Sequence, residues 1–134
     1  MSWSGVKRQS IKAEIEAWCD EMGIENYTIN SQGEIDVNGN VLLDGKDFKE
    51  LPYKFGRVTS YFSLESCKNL ISLKNCPEII LTNRMFDVDG CTNLNSLEGC
   101  PKKVGGKFYC RSCKRKFTKE EIESLCKVNG DIIN

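Results

Sequence analysis

The feature that most constrains this chain is an eleven-residue stretch that occurs twice. Residues 67–77 read CKNLISLKNCP, and residues 91–101 match them at seven of eleven positions after a shift of 24 residues. Phe62-x-Leu64 precedes the first copy and Phe86-x-Val88 the second, where x is any residue. Internal periods of this length are typical of solenoids. In a solenoid each coil buries its apolar face only against its neighbours, so stacking supplies the core.

Two more divergent copies extend the repeat in both directions. One runs from Phe108 to Phe117, and the other from Val41 to Pro52. The four copies begin at positions 41, 62, 86 and 108, with spacings of 21, 24 and 22 residues. The pattern predicts about four coils, each with a short strand that points alternate side chains inward.

An amphipathic helix is predicted before the coils, from about Val6 to Met22. Its apolar residues recur at spacings of four, three and four and are Ile11, Ile15, Trp18 and Met22. Gly23 followed by Ile24 is typical of a left-handed helix ending. Alternating apolar residues then predict short strands at 27–29 and 35–37. We expect the helix to cap the first coil.

A second, shorter helix is predicted after the coils. Thr118 and Glu121 have the spacing of a capping box, and Ile122, Leu125 and Cys126 share one face of the helix that would follow. We therefore expect a single domain, 1–134, with a capping helix in 1–26, repeat coils in 27–117 and a C-terminal cap in 118–134.

The coils resemble the leucine-rich repeat, whose core L-x-L-x-x-N/C-x-x-L is similar to residues 62–70 and 86–94. The chain is more closely similar to short leucine-rich-like repeat proteins of tailed bacteriophages. Their motif P-x-x-V-G-G-x-F-x-C is matched in full by residues 101–110, whereas residues 79–85 lack the Gly-Gly pair. The resemblance implies an α+β fold: a short leucine-rich-repeat-like solenoid with an N-terminal helical cap and a short C-terminal helix. It implies no known biochemical activity.

The eight cysteines have two interpretations. Four of them, Cys100, Cys110, Cys113 and Cys126, could supply a four-thiolate zinc site. The repeat instead aligns Cys110 with the inward Leu64, and Cys113 with Cys67 and Cys91. A buried free cysteine behaves as a small apolar residue, so we expect packed thiols with no metal and no cofactor. The zinc site is kept as an alternative.

If the aromatic residues of the strands face inward, alternate residues should face solvent in three columns. The columns read Asn40, Tyr61, Met85, Lys107; Leu42, Ser63, Asp87, Tyr109; and Asp44, Glu65, Asp89, Arg111. Like charges opposite each other on neighbouring strands are unfavourable, which points to a use for the acidic column. The predicted partner-binding residues are Tyr61, Glu65, Met85, Asp87, Asp89, Tyr109 and Arg111.

A charge gradient runs along the chain although 19 basic residues balance 19 acidic ones. Residues 1–50 hold five basic and ten acidic residues, and residues 101–134 hold nine and four. Residues 102–119 are therefore an alternative contact patch for nucleic acid or an acidic protein. Its candidate residues are Lys102, Lys103, Lys107, Lys114, Arg115 and Lys116.

Enzyme signals are weak in this sequence. It contains no histidine, no Gly-x-Ser-x-Gly and no phosphate loop. It also has no apolar run of membrane-spanning length, and residues 1–10 lack the apolar core of a signal peptide. We expect a cytoplasmic protein, in the host cytosol, with reduced thiols. The phage resemblance implies a non-enzymatic interaction module that binds and blocks a host protein, such as a defence component. Nucleic-acid binding and structural zinc binding are the alternatives.

Overall fold

The computed structural model describes residues 5–81 and 83–134 and is a β-solenoid of about four coils with two helices. The predicted solenoid is confirmed at this level. In chain order the elements are α1 (Gly5–Glu21), β1 (Tyr27–Ile29), β2 (Ile35–Val37), β3 (Val41–Leu42), β4 (Phe55–Val58), β5 (Phe62–Ser63), β6 (Ile79–Ile80), β7 (Phe86–Asp87), β8 (Lys103–Val104), β9 (Phe108–Tyr109), α2 (Lys119–Leu125), β10 (Lys127–Val128) and β11 (Ile132–Ile133).

Two sheets of short strands run along the stack. One has the order β1-β2-β4-β6-β8-β10 and the other β11-β9-β7-β5-β3. All their pairings are parallel except the β1–β2 hairpin. Coil 1 contributes β2 and β3, coil 2 β4 and β5, coil 3 β6 and β7, and coil 4 β8 and β9. The short strands predicted at 27–29 and 35–37 are present as β1 and β2. The six-stranded sheet that they open was not predicted, because β6, β8 and β10 have only two residues each and show no alternating pattern.

The predicted register of the five-stranded sheet is correct. Phe62 pairs with Phe86, and Phe86 pairs with Phe108, in neighbouring parallel strands. The three rings are fully buried, with centroid distances of 6.1 and 5.1 Å along the stack. Leu70 and Leu94, from the segments that return along the third side of the coils, are buried against the same core.

The cysteine ladder predicted from the repeat is also present. The thiols of Cys67, Cys91 and Cys113 each donate to a main-chain oxygen of the preceding coil, at 3.2, 3.1 and 3.4 Å. The residue before each ladder position turns the chain with a left-handed φ of 59°, 75° and 56° in turn. These turn residues are Ser66, Gly90 and Ser112. The thiols thus tie each turn to the coil beneath it.

Helix α1 covers the first coil through its second half. The Trp18 ring lies 6.0 Å from the Phe55 ring and 5.6 Å from the Tyr53 ring, centroid to centroid. The helix ends at Glu21 and is followed by Gly23, where φ is +74°. The amide of Ile24 then donates 2.9 Å to the oxygen of Cys19. This is the predicted left-handed ending. The prediction for Ile11 is wrong: its side chain is exposed, because residues 9–14 extend beyond the coil.

The C-terminal segment caps the stack differently from the prediction. The capping box is confirmed, with the amide of Glu121 donating 3.1 Å to the Thr118 hydroxyl. Ile122 is buried, but Leu125 is 39% exposed, since α2 has only seven residues and turns one side to the core. After α2, β10 and β11 add half a coil to both sheets. The segment 118–134 is therefore not a helical cap alone.

Candidate functional site

The outer face of the five-stranded sheet collects the predicted partner-binding residues, and we call it the strand face. Its middle column is set by direct pairing of Leu42 with Ser63, Ser63 with Asp87 and Asp87 with Tyr109. Main-chain hydrogen bonds place the flanking columns in the same order. The strand face consists of Asn40, Tyr61, Met85 and Lys107; Leu42, Ser63, Asp87, Tyr109 and Ile133; and Asp44, Glu65, Asp89 and Arg111.

Two residues of the middle column do not face solvent as predicted. Ser63 is 2% exposed and Asp87 is 5% exposed. Both are short side chains among longer neighbours, which shield them from water. Their polar atoms are satisfied locally: the Ser63 hydroxyl donates to the Asp44 carboxylate, and the Asp89 amide donates 2.8 Å to Oδ1 of Asp87. The face therefore has a recessed polar centre.

The charge of this centre is only partly balanced. Arg111 binds the Asp89 carboxylate through Nη2 at 2.7 Å and Nε at 3.1 Å. No other ion pair forms on the strand face among residues 5–81 and 83–134. Burial raises the pKa of the Asp87 carboxyl to about 6, and the charges of Asp89, Glu65 and Asp44 add to the effect. A cation placed over Asp87 would reverse this shift.

Aromatic groups line one side of the strand face. The Arg84 guanidinium lies 5.2 Å from the Tyr61 ring centroid and donates 3.1 Å to its hydroxyl. A groove of about 420 Å³ opens there between Tyr61, Met85 and Tyr109. Gly106 forms part of its wall. The main chain of Gly106 also packs closely on Arg84, since a Cβ at this glycine would lie 2.4 Å from the Arg84 oxygen. Sequence reasoning missed Arg84, which lies in an irregular loop that lacks the Gly-Gly pair of residues 105–106.

The predicted basic patch is not brought onto one face. Lys103 is the first residue of β8 in the six-stranded sheet and Lys102 directly precedes it, whereas Lys107 precedes β9 on the strand face. Residues 114–116 lie over the third side of coil 3: the Lys114 amide donates to Leu94, and Arg115 donates to Asn95. Arg115 also forms an ion pair with Glu121. The basic side chains thus surround coil 4.

Sequence reasoning also missed Lys127, which pairs in register with Lys103 on the outer face of the six-stranded sheet. The signal was available in the sequence. Residues 127–130 read KVNG and residues 103–106 read KVGG, a match at the same 24-residue shift that relates the clearest copies.

A pocket of about 560 Å³ lies away from the strand face, on the third side of the coils. The Lys54 ammonium group reaches it, but this group donates to the oxygens of Phe55 and Cys76 and pairs with Glu78 at 3.3 Å. Its positive charge is therefore already engaged within the chain. The pocket presents serine and asparagine turns and the exposed Ile71.

The four cysteines of the zinc alternative are free thiols. Burial raises the pKa of Cys110 and Cys126 to about 12, and that of Cys100 and Cys113 to about 11. Zinc binds thiolates, so these shifts oppose binding. Within the described part of the chain, no three cysteine or carboxylate side chains are placed to hold a metal ion.

Comparison with known proteins gives no match to a protein-family model, a curated protein or a solved structure. Across residues 5–81 and 83–134, neither helix has the length and apolar character needed to cross a bilayer.

Proposed function

We propose that this chain is a non-enzymatic protein-interaction module and that its partner docks on the strand face. The observation that carries the proposal is the recessed Asp87 carboxylate at the centre of a face rimmed by Tyr61, Met85 and Tyr109. A buried carboxylate without an opposite charge is unfavourable. The Arg111 guanidinium, on the same face, is engaged by Asp89.

The partner's contacting group is a lysine or arginine side chain. Such a group would reach Asp87 and the exposed Glu65 while its aliphatic stem packs on Tyr109 or Met85. Aromatic and methionine side chains around a shielded polar centre are typical of the residues that dominate protein interfaces. Electrostatic complementarity of this kind contributes mainly to specificity and association rate.

The biological setting belongs to the same proposal. The coil motifs of residues 62–70 and 101–110 support a leucine-rich-like repeat related to those of tailed phages. On that basis the module is phage-encoded, works without a cofactor in the host cytosol and blocks a host protein. A host defence component is one such target.

Affinity capture from a bacterial host lysate, followed by reconstitution with the purified captured protein, tests the proposed surface. Glu65→Lys should weaken the reconstituted complex about tenfold or more, because it places a cation where the partner's cation binds. Lys114→Glu is the matched charge reversal on another side of the molecule and should leave affinity within about twofold. The opposite ranking would assign binding to the basic residues. Affinity for nucleic acid that falls steeply with salt would instead support the nucleic-acid alternative.

A further inference from the structure

The solenoid converts the charge gradient of the sequence into a gradient along the stack. Asp44 and Glu65 lie on coils 1 and 2 of the strand face, whereas Lys107 and Arg111 lie on coil 4. Two copies that meet face to face with antiparallel stack axes would place the acidic end of each against the basic end of the other. A face with this property is self-complementary, as a two-fold interface requires.

One two-fold axis gives a particularly good match. It runs parallel to the strands and passes between β5 and β7, so each column faces the same column of the second copy. This operation exchanges β5 with β7 and β3 with β9. The resulting pairs are Asp44 with Arg111, Ser63 with Asp87, Tyr61 with Met85, Leu42 with Tyr109, Asn40 with Lys107, and Glu65 with Asp89.

Two of these pairs match in chemistry. The exposed Leu42 side chain meets the Tyr109 ring, and the Asp44 carboxylate meets the Arg111 guanidinium. Ser63 and Asp87 are both recessed and leave a polar gap between the two copies. Glu65 faces Asp89, a like-charged residue, but Arg111 already neutralises Asp89 through its 2.7 Å ion pair. The same guanidinium then lies between Asp89 and the Asp44 carboxylate of the second copy. The charge of Asp89 that Glu65 faces is thereby partly neutralised.

We infer that a second copy of this chain occupies the strand face, with the two stack axes antiparallel. Leu42, which is 55% exposed at the edge of the face, gains a contact with Tyr109 of the second copy in this pair. The inference goes beyond the proposed function, and the second copy would compete with the partner protein for one surface. Self-association would therefore weaken as partner is added.

The size of the face sets the expected strength of the pair. Five strands about 4.8 Å apart span roughly 20 Å, and three outward columns about 7 Å apart span roughly 14 Å along the strands. The area of the face, roughly 280 Å² from these two lengths, is well below the roughly 800 Å² per partner of a standard stable interface. The dimer should accordingly be weak, with a dissociation constant on the order of 10 to 100 µM.

Sedimentation equilibrium of the full chain between about 5 and 500 µM tests the inference. Wild-type protein should shift from monomer to dimer, and Leu42→Asp should lower the association constant about tenfold or more. Ile71→Asp is the matched control, because Ile71 is also 55% exposed but lies on the third side of the coils. It should associate like wild type. Far-ultraviolet circular dichroism establishes that each variant is folded.

A second variant pair examines the charges. Asp44→Lys should weaken the dimer, because it faces Arg111 of the second copy, whereas Asp47→Lys, on the same coil and bonded to Asn69, should not. Monomer at every concentration, or a dimer unchanged by Leu42→Asp, would overturn the inference. A monomeric protein that still binds its partner through Glu65 would overturn this inference alone and leave the proposed function standing.

Discussion

The Cys91 thiol donates a 3.1 Å hydrogen bond to the main-chain oxygen of Leu64 in the preceding coil. The same oxygen accepts the amide of Cys67 at 3.1 Å, so the thiol supplies a second bond to an already paired group. This link repeats at Cys67 and Cys113 and makes the cysteine ladder part of the coil geometry.

The ladder predicts a reversal in the ranking of serine and alanine substitutions. Cys91→Ser keeps a donor for Leu64 and should cost less unfolding free energy than Cys91→Ala, which should lose about 1–2 kcal/mol. At the buried Cys76, whose thiol has no hydrogen-bond partner among the described residues, serine should cost more than alanine. Urea denaturation of the four variants measures the ranking. Equal costs for serine and alanine at position 91 would contradict the role of the thiol bond.

Asp87 predicts a specific dependence of stability on pH. Its pKa is raised to about 6 in the folded protein, so the folded state binds more protons than the unfolded state between about pH 4 and 6. Protonated Asp87 therefore contributes fully to the unfolding free energy below about pH 4, and this contribution is lost as the pH rises through about 6.

Asp87→Asn should therefore raise the unfolding free energy at pH 7 by about 1–3 kcal/mol, since an amide oxygen can still accept the Asp89 amide. The difference between variant and wild type should shrink toward pH 4. Denaturation at a series of pH values provides the measurement. A variant less stable than wild type at pH 7 would show that the charge is compensated within the chain.

Backbone stacking predicts that two glycines differ in their tolerance of alanine. Gly99 has φ of +92°, and a Cβ there would lie 2.7 Å from the main chain of Leu73. Gly99→Ala should cost roughly 2–5 kcal/mol from backbone strain and overlap. Gly45 has φ of +70° but open space around it, so Gly45→Ala should cost only roughly 1–2 kcal/mol. Thermal denaturation of both variants measures the two losses of stability. Equal losses would mean that coils 2 and 3 are farther apart at Gly99 than the structure places them.

The coil register itself predicts the cost of a core deletion. Leu94 is fully buried, and Leu94→Ala should lower the unfolding free energy by roughly 2–5 kcal/mol. Ile71→Ala, at an exposed position in the preceding copy of the repeat, should change it by less than about 1 kcal/mol. Chemical denaturation gives both values. A loss below about 1 kcal/mol at Leu94 would argue against the register of the repeat.

The repeat predicted those features that depend on one coil contacting the next. Phe62, Phe86 and Phe108 recur at nearly constant spacing, and stacking at constant spacing is sufficient to place their rings in one buried column. The ladder cysteines follow from the same spacing. The half-coil of β10 and β11 obeys it too, but these two strands have only two residues each and show no alternating pattern.

Features that depend on neighbours across the sheet were not predictable in this way. The alternation of the strands places Asp87 outward, which is correct, but its burial depends on the bulk of the side chains around it. The contact of Arg84 with Tyr61 depends on the path of a loop. The six-stranded sheet is held together by main-chain hydrogen bonds between short strands such as Ile79–Ile80. Main-chain hydrogen bonds do not depend on the side chains, so they leave little pattern in the sequence.

Site-specific photocrosslinking from the strand face tests the central claim most directly. A benzophenone amino acid replaces Leu42 in one protein and Ile71 in another, two positions that are each 55% exposed, and both are irradiated in host lysate. We expect an adduct with one host protein from position 42, lost when Glu65→Lys is added and preserved when Lys114→Glu is added. The adduct with a second copy is recognised by its mass. Crosslinking of the host protein from position 71 and not from position 42 would contradict the account.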